Sequence, residues 1–135
     1  MATPTFGATP ALLGERYFPT GIQAGRAHAL ATSVLEEVAS DVAGVLRSLR
    51  VEPDKVTVGH TPHAYRWLQA TVLKGAAAEF ARRADQQMAL ESIDAWAEDY
   101  RLRLEALRAD RSAVLPDLAE ADAGKGRSRA VYNPR

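Results

Sequence analysis

Residues 30–49, LATSVLEEVASDVAGVLRSL, decide the fold. Leu30, Val34, Val38, Val42, Val45 and Leu49 recur at steps of four and three. On an α-helix that spacing forms one stripe, while Glu36, Glu37, Asp41 and Arg47 fall largely elsewhere. Such a helix persists only when the stripe is covered. At about 1.5–3 kcal/mol per large apolar side chain buried, the stripe contributes on the order of 10 kcal/mol before entropy is subtracted. Just upstream, Thr20-Gly21-Ile22-Gln23 has the form of a capping box, and Pro53 lies beyond the last stripe residue. The spacing therefore predicts a first helix over about residues 20–50.

Two further stripes lie downstream. Residues 51–60 have no helical period, and Val56-Thr57-Val58 is too short to argue for a strand, so this stretch reads as a loop. Thr61-Pro62 suits a helix start, because Thr can cap and Pro at the first helical position lacks an N–H that would lack a partner there anyway. Tyr65, Leu68, Val72, Ala76 and Phe80 then mark a second helix over 61–84. Its small run Gly75-Ala76-Ala77-Ala78 allows another helix to approach closely. Asp85-Gln86-Gln87 reads as a turn, with one long bent helix as the other option. Ala89, Ile93, Trp96, Tyr100, Leu104 and Leu107 define a third helix over 87–110, with Asp99–Arg103 and Glu105–Arg108 spaced for ion pairs on its outer face.

The expected fold is all-α, a small bundle of three main helices with extended arms at both ends. Residues 1–19 hold Pro4, Gly7, Pro10, Gly14 and Pro19, a density of punctuation that opposes a long regular element, and they read as an N-terminal arm with one turn near Ala11-Leu12-Leu13. Residues 20–111 form the helical domain. Pro116 reads as a stop, and residues 112–135 as a flexible basic tail.

Composition narrows the function. The 135 residues include 17 Lys plus Arg and 17 Asp plus Glu, so no overall field draws the chain to nucleic acid or an anionic membrane, and such contact must be local. The absence of cysteine excludes disulfides, thiolate nucleophiles and cysteine-type zinc sites. No run is apolar enough to span a bilayer, and the first residues lack a signal-peptide pattern, so the expectation is a soluble, unexported chain without membrane contact.

The chemistry-bearing residues do not assemble into a reaction centre. His60 and His63 are the only close histidine pair and lack the further ligand that zinc requires, so they read as solvent-facing residues at a helix start. His28 stands alone. Glu36-Glu37 and Glu98-Asp99 are adjacent on helices, where neighbouring side chains point about 100° apart and do not converge on one atom. Gly124-Lys125-Gly126-Arg127 lacks the spacing and framing of a phosphate-binding loop. Neither an enzyme nor a cofactor is expected. Trp96 lies on the third stripe and reads as core, whereas Trp67 lies off the second stripe and is an interface candidate. Within residues 122–135, Lys125, Arg127, Arg129 and Arg135 face one acid, Asp122, and Arg129-Ala130-Val131-Tyr132-Asn133 alternates enough to add as a strand or seat Val131 and Tyr132 in a groove. These residues form the expected partner-docking tail.

In this order of elements the chain resembles the head-to-tail connector proteins of long-tailed bacteriophages, also called adaptor or head-completion proteins. The resemblance covers about residues 20–110. It rests on Ala31-Thr32-Ser33-Val34-Leu35-Glu36-Glu37-Val38, on Tyr65-Arg66-Trp67-Leu68-Gln69-Ala70-Thr71-Val72-Leu73-Lys74-Gly75-Ala76-Ala77-Ala78-Glu79-Phe80, and on Tyr100-Arg101-Leu102-Arg103-Leu104-Glu105-Ala106-Leu107. It implies a structural virion protein that forms a homo-oligomeric ring in the neck between head and tail. That ring would bind the portal protein and tail or neck proteins, touch DNA non-specifically in the exit channel, and be made in the host cytoplasm. The arms would be the docking elements, although the Pro-rich N-terminal arm matches no family motif. The other reading of the same residues is a small cytoplasmic helical module that binds or regulates partners and contacts nucleic acid through its tail.

Overall fold

The structure, a computed structural model, describes residues 4–18, 21–22, 24–84 and 90–118, with Leu90 by its backbone alone. Its helices are α1 (Pro10–Tyr17), α2 (Arg26–Ser48), α3 (Pro62–Arg83), α4 (Leu90–Ala109) and the single turn α5 (Arg111–Val114), with a 3-10 turn over Pro53–Lys55. No strand occurs among the described residues. The all-α expectation holds, and α2, α3 and α4 lie close to the spans read from the three stripes. A simple three-helix bundle is too coarse a description, because α1 is a fourth helix of eight residues.

The central element is α3. Ala64, Leu68, Thr71, Val72, Leu73, Gly75, Ala76, Ala77, Ala78, Phe80 and Ala81 are all buried, far more of its circumference than one stripe. Helices pack on it from several sides. Arg83 reaches Glu37 on α2 at 2.7 Å, while Arg82 approaches Asp94 at 3.9 Å and Lys74 meets Asp99 at 2.5 Å. Rising numbers on α4 thus meet falling numbers on α3, so the two run antiparallel. This rules out one long bent helix, and α3 ends at an extended Ala84. A Cβ on Gly75 would lie 2.8 Å from both the Tyr100 ring and Val38 Cγ1, so at the small run side chains of α2 and α4 pack directly on the α3 backbone. The expected turn at 85–87 lies outside the described residues.

The helix boundaries follow from local chemistry. The first long helix starts at Arg26 and not at residue 20, because Gly21 (φ 77°) and Gly25 (φ 88°) hold left-handed backbone that breaks helical continuation. Thr20 and Gln23 of the expected capping box lie outside the described residues. At its other end α2 closes with a Schellman motif: Val51 N–H donates to the Leu46 carbonyl and Arg50 N–H to that of Arg47, with Arg50 at φ 64°. Thr61 stands before α3 but does not cap it, since its hydroxyl bonds within the loop to Thr57. Asp117 caps instead, accepting from His63 N–H at 2.9 Å and Ala64 N–H at 3.1 Å.

Neither flank has the boundary expected of an arm. Phe6, Ala8, Leu13 and Phe18 are buried as deeply as Val38. Thr9 caps α1 by accepting from Leu12 N–H, and Pro10 takes the first helical position. Phe18 packs edge-on against Phe80 and Trp96, with centroids 5.2 and 5.9 Å away, and Tyr17 meets Trp96 at 5.2 Å. The punctuation does prevent a long helix, as expected. It does not prevent a short one, and the large apolar residues around it then cover the end of the bundle. At the C-terminal side the body extends past 111 to at least Leu118, because Leu115 and Leu118 are buried. Pro116 does not end the structure, since residues 116–118 are again helical.

Candidate functional site

The expected docking residues of the tail, Lys125, Arg127, Arg129, Val131, Tyr132 and Arg135, lie outside the described residues. Trp67 lies within them. It is half-buried on α3, and the Arg103 guanidinium sits 4.7 Å above its ring, a cation–π contact that covers one face of the indole. Pro62, His63, Arg66 and Ala70 complete a shallow open groove around this pair. Trp96, expected in the core, is partly buried beneath Tyr17 and Phe18.

The histidines remain apart. His60 faces Thr57, with Nδ1 3.2 Å from its hydroxyl, whereas the His63 ring donates through Nε2 to the Val114 carbonyl at 3.2 Å. His28 is exposed on α2, beside a hollow lined by α1 residues. Among the described residues no three His, Asp or Glu side chains converge on a position for a metal ion, and no helix is long and apolar enough to cross a membrane.

The outer charges pair differently from the expectation. Asp99 turns to Lys74 on α3 instead of Arg103, and Glu105 takes Arg101 at 2.6 Å instead of Arg108. The helix neighbours lose because α3 offers Asp99 a cation across the interface, and Arg101 lies between Glu98 and Glu105. The hydrogen bond from Arg101 holds the Glu98 carboxyl below its ordinary range, and the bond and charge of Arg83 do the same for Glu37.

A second feature lies along the seam of α2 and α4. Both helices pack on α3 and meet each other at few positions, which leaves two adjoining hollows of about 300 and 500 Å³ that share Asp41 and Tyr100. Gly75 and Ala78 line the first, Gly44 and Leu104 the second. The Tyr100 hydroxyl is buried with no hydrogen-bond partner among the described residues. Burial, then the charge of Asp41, raises it from 10.0 to about 12. On the back of α4, Leu102 is 48% exposed. Gly44 within the first helix is the sequence signal for this seam, and Leu102, an apolar residue off the third stripe, is the signal for the exposed back of α4.

Comparison with family models, with curated proteins and with solved structures found no match to this chain.

Proposed function

We propose that this protein is a structural assembly subunit of the connector type, associating side by side into a ring that docks on a portal and on tail or neck proteins around the DNA exit path. The reading joins the sequence resemblance to one geometric observation: α4 has a hollow on one side and a projecting leucine on the other. Tyr100 and Leu104 line the seam with α2. Leu102, two positions from either, lies about 200° around the helix at about 100° per residue. Two different surfaces on opposite sides of one helix favour heterologous association, which generates a ring wherever the rotation closes. Leu102 of one copy then enters the hollow of the next. In this reading the basic tail serves to reach adjacent components.

Gly44 gives the test its control, because a Cβ there would meet no atom within 4 Å. Gly44→Trp therefore sets its Cβ in open space beside a hollow of about 500 Å³, and it replaces the residue least favourable inside a helix after proline. Leu102→Glu alters the opposite surface. Solution mass and electron micrographs of the wild-type chain, alone and with portal, are expected to show rings. Both variants should keep the circular dichroism and thermal midpoint of a folded subunit and fail to form rings. A wild-type chain that stays a monomer or closed dimer in the presence of portal sinks the reading, as do variants that assemble like wild type.

A further inference from the structure

The groove at Trp67 differs from the α2–α4 seam in charge. The seam is lined by Glu37, Asp41 and Glu79 as well as by arginines, whereas the lining of the Trp67 groove, which includes Arg66 and Arg103, contains no carboxylate. The neighbouring acids are committed elsewhere. Asp117 accepts from the backbone of His63 and Ala64, and Asp99, one helical turn before Arg103, is held by Lys74. Arg66 is exposed, and neither arginine forms an ion pair among the described residues. The Arg103 guanidinium carbon lies 4.7 Å from the centroid of the indole ring, and its buried Nε has no partner among the described residues. The cation–π contact restrains the guanidinium, so part of the ordering cost of a contact through its terminal N–H groups is met before binding.

We infer that Arg66 and Arg103, which line one groove with Trp67, bind the phosphodiester backbone of duplex DNA. The fork of a guanidinium matches two phosphate oxygens, and a shallow, acid-free groove suits a backbone running across the surface. Arg103 occupies one face of the indole, and a contact made to backbone phosphates is blind to sequence. An acidic protein segment is the less favoured ligand, because the groove offers it little apolar anchorage besides Pro62 and Ala70. The inference deepens the connector reading and rests on it for the identity of the phosphate-bearing ligand. It also places a DNA contact on the folded body, separate from the basic tail.

The test uses the full chain, with Arg66→Glu and Arg103→Gln as variants. Fluorescence anisotropy of a labelled short duplex is followed over a range of salt, and solution mass is measured on the same samples. Wild type should bind with an affinity that falls as salt rises. Arg66→Glu should weaken binding by on the order of tenfold and flatten the slope of log affinity against log salt by about one, with Arg103→Gln acting in the same direction. Arg66 is exposed, so its variant keeps the helical circular dichroism of wild type. The inference is overturned if the duplex does not bind, if both variants bind like wild type, or if poly-glutamate binds through Arg66 as tightly as the duplex does. The mass reports ring formation independently, so failure of the ring reading and failure of this site register in different channels.

Discussion

Tyr100 shows what a single residue inherits from its place between helices. Its position on the third stripe made it legible as a core residue. Its isolation did not, because that depends on how far α2 and α4 spread apart on α3. With its hydroxyl buried and Asp41 nearby, the folded protein holds the phenolic proton up to about pH 12, against 10.0 for an ordinary tyrosine. The unfolded chain therefore releases this proton first. The associated stability is fully present below pH 10, declines above it and is gone once the pH has passed about 12. Ultraviolet titration of tyrosinate in the folded protein should show a late step that Tyr100→Phe removes. A titration curve that Tyr100→Phe leaves without loss of any late step, while the protein is still folded, would mean that the hydroxyl is solvated.

The sequence was readable at the scale of elements where a period runs for several turns, and less so where an element depends on a distant partner. The stripes of α2, α3 and α4 repeat often enough to identify each helix, and their buried members include Val34, Val38, Val42, Leu68, Val72, Phe80, Ile93 and Leu107. By contrast α1 has eight residues, too few for a period to rise above its prolines and glycines. The Asp117 cap was illegible for another reason, since it acts across 54 positions of chain. Exposure of the N-terminal segment was inferred from composition, and packing overrode it, because Phe18 finds Phe80 and Trp96 at the end of the bundle. Phe18→Ala empties a fully enclosed site and should cost about 3–5 kcal/mol in denaturant unfolding. A change within about 0.5 kcal/mol, the range of ordinary surface substitutions, would return the segment to the status of a free arm.

For the whole molecule the question is where the body stops and attachment begins. The sequence suggested a boundary near residue 111, because the apolar period fails there and Pro116 follows. Burial moves it to at least Leu118. Leu115 is fully buried, Leu118 nearly so, Arg111 donates to the Leu49 carbonyl at the end of α2, and Asp117 caps α3. Residues 111–118 therefore join the ends of two long helices, which the loss of period concealed. Two truncations separate the candidate boundaries. A chain ending at Leu118 keeps every one of these contacts and should unfold within a few degrees of the full protein. A chain ending at Arg111 loses two buried leucines and the α3 cap, and should unfold lower by on the order of 10 °C or more. The tail is tested by the same pair. If Lys125, Arg127, Arg129 and Arg135 serve attachment, the chain ending at Leu118 should form rings yet fail to dock on neighbouring components. Retained docking would take the tail out of the mechanism and leave attachment to the surfaces of the helical body.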